Sequence, residues 1–245
     1  MSREFQPYHL GANLFLWLDG SDIFANDQAS VPADGDQILK WHDKSVNGYI
    51  FEATSANAPT YNATNKKIVF DGTEHLACTG ISNFPTTDVA NQGGFHAFVA
   101  GSLTNVNDSQ TDVIFSGKTS DASGDFEFVK ESGNNISCNF QYKNTSGGSV
   151  NVASATSVTS GQVCIFEVLV SGASNFTIPD VNNANNYSVG VLAALKEATD
   201  LFIGRNTQSD EQESNMEIHE ILMFYDQVQF AQRRGIQGYL KHKYN

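Results

Sequence analysis

Short runs of apolar or alternating residues recur along the chain, each ended by Gly, Asn, Asp or Ser. The clearest cover residues 14–18, 68–70, 95–99, 113–115, 126–129, 136–142, 163–170, 201–203 and 218–225. Many short strands separated by turn residues point to an antiparallel sandwich or barrel. Cys164-Ile-Phe-Glu-Val-Leu-Val170 is nearly continuous in apolar residues and predicts a central strand, whereas the alternation of Phe126-Glu-Phe-Val-Lys130 predicts a half-exposed one. A helix is predicted only at the end, where Val228, Gln232, Ile236, Leu240 and Tyr244 recur every four positions. Arg233, Arg234, Lys241 and Lys243 give that helix a basic tail, which favours a helix C-terminus. Gly235 and Gly238 each cost about 1 kcal/mol relative to Ala inside a helix, so the helix needs a surface to dock on.

This pattern predicts an all-β fold, a two-sheet antiparallel β-sandwich (jelly roll) with one short C-terminal helix. A single domain over residues 1–245 is expected, with an N-terminal arm at 1–12 and the docked helix at 228–244. Trp17, Trp41, Phe70, Phe166, Leu169, Leu222 and Phe224 are its expected core. Residues 180–188, rich in Asn, and 207–215, acidic and polar, read as loops, where binding function tends to lie.

Charge narrows the partners. Hydrophobic residues make up 40% of the chain and charged residues 17%, with a formal net charge of -13. Phosphate backbones and anionic lipid surfaces repel such a protein, so neither nucleic acid nor membrane insertion is expected. No stretch approaches a membrane span, and the residues after Met1 have no apolar signal core. Cys78, Cys138 and Cys164 are odd in number, and the last two sit in apolar runs; buried free thiols are the expected state, suited to a reducing cytosol.

Several segments carry a family likeness. Leu16-Trp-Leu-Asp-Gly-Ser-Asp22 is followed by Trp41-His-Asp-Lys-Ser-Val-Asn-Gly48. Phe202-Ile-Gly-Arg205 and Glu217-Ile-His-Glu-Ile-Leu-Met-Phe-Tyr225 come later, and the chain closes with Tyr239-Leu-Lys-His-Lys-Tyr244. In this order they resemble the concanavalin A-like, laminin G-like domains found in bacterial surface proteins and phage virion proteins. The resemblance implies the sandwich fold. It leaves function open, because that fold hosts lectins, glucanases, adhesion modules and capsid parts.

Candidate chemistry is sparse. Asp125, Glu127 and Glu131 have the spacing, with the first two residue types exchanged, of the carboxylates that some glucanases of this fold carry on one strand. A polar outer strand face gives the same pattern, and it outweighs the catalytic reading. Asp19, Asp22, Asp34 and Asp36 are candidate ligands for a weak Ca²⁺ site, against a turn-capping reading that needs no metal. Asn182, Asn183, Asn185, Asn186 and Tyr187 are candidate glycan-binding residues on the Asn-rich loop. His42 beside Asp43 lacks a recognisable nucleophile, and Glu217, His219 and Glu220 offer too few ligands for a metal; both groups read as structural.

The function expected from sequence is a non-catalytic bacteriophage virion surface protein, a capsid decoration or tail component assembled in the host cytoplasm. Its expected partners are other virion proteins, copies of itself and cell-surface polysaccharide, with no required cofactor. A soluble lectin-like module and a glycoside hydrolase or lyase are the alternatives.

Overall fold

The computed structural model describes residues 5–244, except 26–30, 86–92, 105–110, 120–124, 131–137, 144–148, 154–158, 172–175, 182–196 and 208–213. Among the described residues the chain forms two antiparallel sheets that pack face to face. The first holds β1 (Leu14–Asp19), β4 (Thr60–Asn62), β5 (Lys67–Asp71), β7 (Gly94–Leu103), β12 (Cys164–Ser171), β13 (Phe176–Val181) and β15 (Asn215–Tyr225). Its order is β13-β12-β7-β15-β5-β4, and β1 pairs with the far half of β15. The second holds β2 (Lys40–His42), β3 (Ile50–Glu52), β6 (Leu76–Thr79), β8 (Asp112–Thr119), β9 (Phe126–Lys130), β10 (Cys138–Lys143), β11 (Ser149–Ala153) and β14 (Ala198–Ile203), ordered β11-β10-β9-β8-β14-β6-β3-β2. The expected two-sheet sandwich with one C-terminal helix, α1 (Phe230–Tyr244), is what forms.

Between the sheets lies an aromatic core in which Phe126 packs against Phe84, Phe95 and Phe115 with ring centroids 5.4–6.2 Å apart. Trp41 and Phe70 are fully buried in it, and Phe166 joins them. The half-exposed expectation for residues 126–130 fails at its C-terminal end. Lys130 has no exposed surface, and its ammonium lies 2.8 Å from Asp112 Oδ2, which is equally buried. Neutralisation by a carboxylate is what admits the charge to the interior.

The outer face of the first sheet is covered too. Leu14, Trp17, Phe98, Ile165, Leu222 and Phe224 form a second apolar cluster, closed by Val228, Ile236 and Leu240. The expected helix stripe is therefore real, although the helix begins at Phe230 rather than Val228. The N-terminal segment folds onto the same cluster through Phe5 and Leu10 and runs as a 3₁₀ stretch, Pro7–Asn13, into β1. Gly235 has a packing reason: a β-carbon there would come within 2.9 Å of the Phe5 ring. The helix interior gives up stability at this glycine so that the arm can lie against it.

Two buried glutamates anchor α1. Glu167 on β12 accepts hydrogen bonds from Arg233 Nε at 2.5 Å and Nη2 at 3.0 Å, from Gln237 Nε2 at 2.7 Å, and shares one with His96 Nε2 at 2.6 Å. Burial alone would raise the Glu167 carboxyl, but His96 and Arg233 outweigh burial and hold its pKa below the ordinary glutamate value. A carboxyl depressed by folding stabilises the fold above its unfolded pKa, and that contribution is lost as pH falls through the folded pKa. Glu167→Gln should therefore destabilise most near neutrality, and its stability should converge with that of the parent protein in acid. Urea unfolding across a pH series checks this; a pH-independent gap would contradict it.

Cys78 and Cys164 are buried and in no disulfide, and burial pushes the Cys78 thiol up to about 11. The side chain of Cys138 lies outside the described residues. Alkylation of Cys78 and Cys164 should be slow in the native protein and fast in denaturant. Rapid native labelling of either would overturn their placement.

Candidate functional site

The family-like segments at the two ends of the chain meet at one place. Asp43, in the turn after β2, accepts hydrogen bonds from Trp17 N at 2.8 Å, Ser45 N at 2.8 Å, Ser45 Oγ at 2.6 Å and Tyr49 N at 3.3 Å. Asn47 Nδ2 donates to the Phe15 carbonyl at 2.8 Å. A single carboxylate thus ties the β2–β3 turn to β1, which explains the Asp-Lys-Ser pattern: the Asp binds the turn, the Ser caps it, and the Lys reaches back over β1. Burial raises the Asp43 pKa despite the donors from Ser45, Trp17 and Tyr49.

Asp19, at the end of β1, holds the neighbouring layer. It accepts from Ser21 N and Oγ, and its oxygens lie 2.9 Å from Lys243 Nζ and 3.1 Å from Lys44 Nζ. Burial would raise Asp19, but Lys243 and then Lys44 outweigh it, so the carboxyl stays below its ordinary value. Lys44 also pairs with Asp22 at 3.0 Å and sits 4.4 Å from the Trp17 ring centroid. Behind them Glu220 of β15, fully buried, accepts from Trp17 Nε1 at 2.7 Å, Tyr244 OH at 2.7 Å, Lys243 Nζ at 2.8 Å and Tyr239 OH at 3.1 Å. Burial, then the Asp19 charge, raises the Glu220 pKa against Lys243 and Tyr244. Gly20 passes through a close approach of strands, where a β-carbon would lie 2.6 Å from the Lys66 carbonyl and 2.7 Å from that of His219.

Above this network opens a cavity of about 770 Å³ between the N-terminal segment, the β2–β3 turn and the end of α1. Its wall combines Tyr8, Trp17 and Tyr239 with Asp19, Asp43, Lys44, Ser45, His242 and Lys243. Tyr8 stands 58% exposed, whereas Trp17 is 7% exposed under the Lys44 ammonium. The cavity therefore offers an accessible aromatic face beside the Lys44 and Lys243 ammonium groups and the Ser45 and Tyr239 hydroxyl oxygens, with the Asp19 and Lys44 charges already paired. Its size lies within the range of small-molecule sites.

The residues expected from sequence distribute differently. Asp125 is 4% exposed and accepts from Thr119 N at 2.8 Å and Thr207 Oγ1 at 2.9 Å, which ties the strand β8 to the loop after β14. Phe126 and Phe128 point into the core, which turns Glu127 to the opposite face of β9. Asp19 and Asp22 come together, but around Lys44; Asp34 Oδ1 accepts from Ala63 N and Asp36 Oδ2 from Ala33 N. Among the described residues no group of three or more His, Cys, Asp or Glu side chains is placed to hold a metal ion. Glu131, Asn182, Asn183, Asn185, Asn186 and Tyr187 lie outside the described residues. Sequence reasoning missed Tyr8, Ser45 and Tyr239; the family-like Asp-Lys-Ser turn and the closing Tyr239-Leu-Lys-His-Lys-Tyr244 segment pointed towards the last two, and no motif pointed towards Tyr8.

No family model and no curated protein matches the chain. Solved structures do match, and they define the class as a β-sandwich. A chain of botulinum neurotoxin type C superposes with a TM-score of 0.65 at 11% identity, over 93% of this chain and 51% of that one. Trypanosoma rangeli sialidase, in complex with sialic acid, superposes at 0.57 and 13% identity over 92% of this chain and 33% of that one. Domain 4 of an extracellular arabinanase from Geobacillus stearothermophilus, in complex with arabinotriose, superposes at 0.56 and 10% identity over 95% of this chain and 98% of that domain. The chain thus spans a third of the sialidase chain and about half of the neurotoxin chain; at these identities the likeness is one of fold.

Proposed function

We propose that the chain is a non-catalytic glycan-binding module of the concanavalin A-like, laminin G-like type, carried in several copies on a virion surface. The cavity beside α1 carries the glycan part of this reading. An accessible tyrosine face with ammonium groups and hydroxyl oxygens around it suits a sugar ring, which presents an apolar face and a rim of hydroxyls. The arabinanase domain in complex with arabinotriose supports the reading, since it shares the fold over nearly its whole length. The neurotoxin, whose cell entry depends on two ganglioside molecules, is weaker support, because only half of that chain is matched.

The non-catalytic part rests on how the carboxylates are used. Glycoside hydrolysis needs two carboxyl groups flanking the bond, one able to give up a proton. Asp19 is held ionised by two lysines, and Asp43 accepts from three backbone amides and the Ser45 hydroxyl. Asp125 is similarly committed to Thr119 and Thr207. The particle part rests on the resemblance of the terminal segments to virion domains. A small acidic domain repeated on a symmetric particle gains avidity from weak single contacts, by up to roughly 10²–10⁴.

A glycan array followed by titration tests the binding. Tyr8→Ala should weaken binding of whichever glycan the parent protein retains, by about tenfold or more, with an unchanged melting temperature. Binding that survives Tyr8→Ala intact would move the site elsewhere. Release of shorter oligosaccharides would replace the module by a hydrolase, and absence of the protein from purified particles would remove the virion assignment.

A further inference from the structure

A second cavity of about 580 Å³ opens on the other side of Lys243, lined by Ser21, Thr64, Asn65, Lys66, Lys67, Glu217, His219 and Tyr244 among others. Lys243 lines both cavities, so the two meet along the C-terminal end of α1. Its chemistry differs from that of the first. Lys66, Lys67 and Lys243 converge there, in a chain with 14 lysines and arginines against 27 acidic residues. Glu217 neutralises Lys67 at 2.7 Å, and Asp19 and Glu220 hold Lys243, but Lys66 is exposed and meets no carboxylate among the described residues. The second observation is His219. It is 5% exposed, packs on Tyr244 with ring centroids 4.7 Å apart, and neither ring nitrogen has a hydrogen-bond partner. The carbonyls of Asn65 and Lys66 lie beside its ring without forming a bond of proper geometry. A buried donor group left unsatisfied costs stability, and a ligand that accepts from it recovers that cost.

We infer that this second cavity is a subsite for an anionic group, a carboxylate or sulfate ester, on a glycan whose neighbouring residue occupies the first cavity. The inference rests on the glycan-binding reading and names the ligand class: an acidic oligosaccharide of at least two units. Lys66 supplies the free charge and His219 a donor at the cavity floor, while Lys243, whose three N–H groups go to Asp19, Glu220 and Tyr239, adds only its charge at the junction. The global charge of the protein acts against an acidic ligand only at long range, where salt screens it beyond about 8 Å. Contacts inside the cavity are much less screened.

The test titrates matched neutral and acidic oligosaccharides, galactosyllactose against sialyllactose and galactotriose against trigalacturonate, into the parent protein, Lys66→Glu and Tyr8→Ala. The acidic member of at least one pair should bind at least about tenfold more tightly than its neutral partner. Lys66→Glu should erase that difference without changing the neutral affinity, whereas Tyr8→Ala should weaken both members. Inorganic sulfate alone should shift the His219 ring and Lys66 resonances together in the parent protein and leave the His219 ring resonances in place in Lys66→Glu. Equal affinities within each pair and insensitivity to Lys66→Glu would overturn the acidic subsite and leave the glycan module standing. Failure of every oligosaccharide to bind would overturn both.

Discussion

Lys130→Met should destabilise the protein by about 3–5 kcal/mol. Lys130 and Asp112 are both fully buried with their charged atoms 2.8 Å apart. Removing the ammonium takes away the cation that neutralises the Asp112 carboxylate in the interior, where Asn215 N also donates to it at 3.0 Å. The cost lies in that stranded charge more than in the lost attraction, because desolvation and Coulomb energy nearly cancel in an intact buried pair. The double variant Lys130→Met with Asp112→Leu should therefore be more stable than Lys130→Met alone. It should not recover fully, since Asp112 also serves the start of β15. Chemical unfolding of the three proteins decides the matter; a double variant less stable than the single would contradict the assignment of the cost to the buried charge.

Leu240→Ala should cost about 2–5 kcal/mol. Leu240 is 1% exposed and closes the outer cluster with Ile236, Trp17 and Leu222. The same variant has a functional consequence, because Tyr239, His242 and Lys243, on the same turn of α1, line the cavity. Loosening the helix should lower glycan affinity along with the melting temperature. An unchanged melt would mean that the helix does not dock as described.

The strand rhythm in the sequence was enough to reveal the long strands, because period-two alternation and apolar runs are local properties. β2, β3 and β4 have three residues each, too few to establish a period. Cys164-Ile-Phe-Glu-Val-Leu-Val170 was legible as an interior strand, but nothing near Glu167 announces that its carboxylate waits for Arg233 and Gln237, 66 and 70 residues further on. Trp17 was legible as buried. That it belongs to the outer cluster, with its indole N–H on Glu220, depends on a contact across 203 residues. Asp19 illustrates the same limit: its local pattern suits a turn or a cation, and its lysine partner Lys243 lies 224 residues away. The cavity was the least legible feature, since its wall is assembled from three separate segments that only the folded sandwich brings together.

The central claim is that glycans bind between the N-terminal segment, the β2–β3 turn and the end of α1. Nuclear magnetic resonance mapping of the parent protein with a glycan selected by array tests it most directly. The account predicts saturable shifts concentrated at Tyr8, Ser45, Tyr239 and the Trp17 indole, with the glycan recovered at unchanged mass. Shifts confined to other faces of the sandwich, or cleavage of the glycan during the titration, would contradict it.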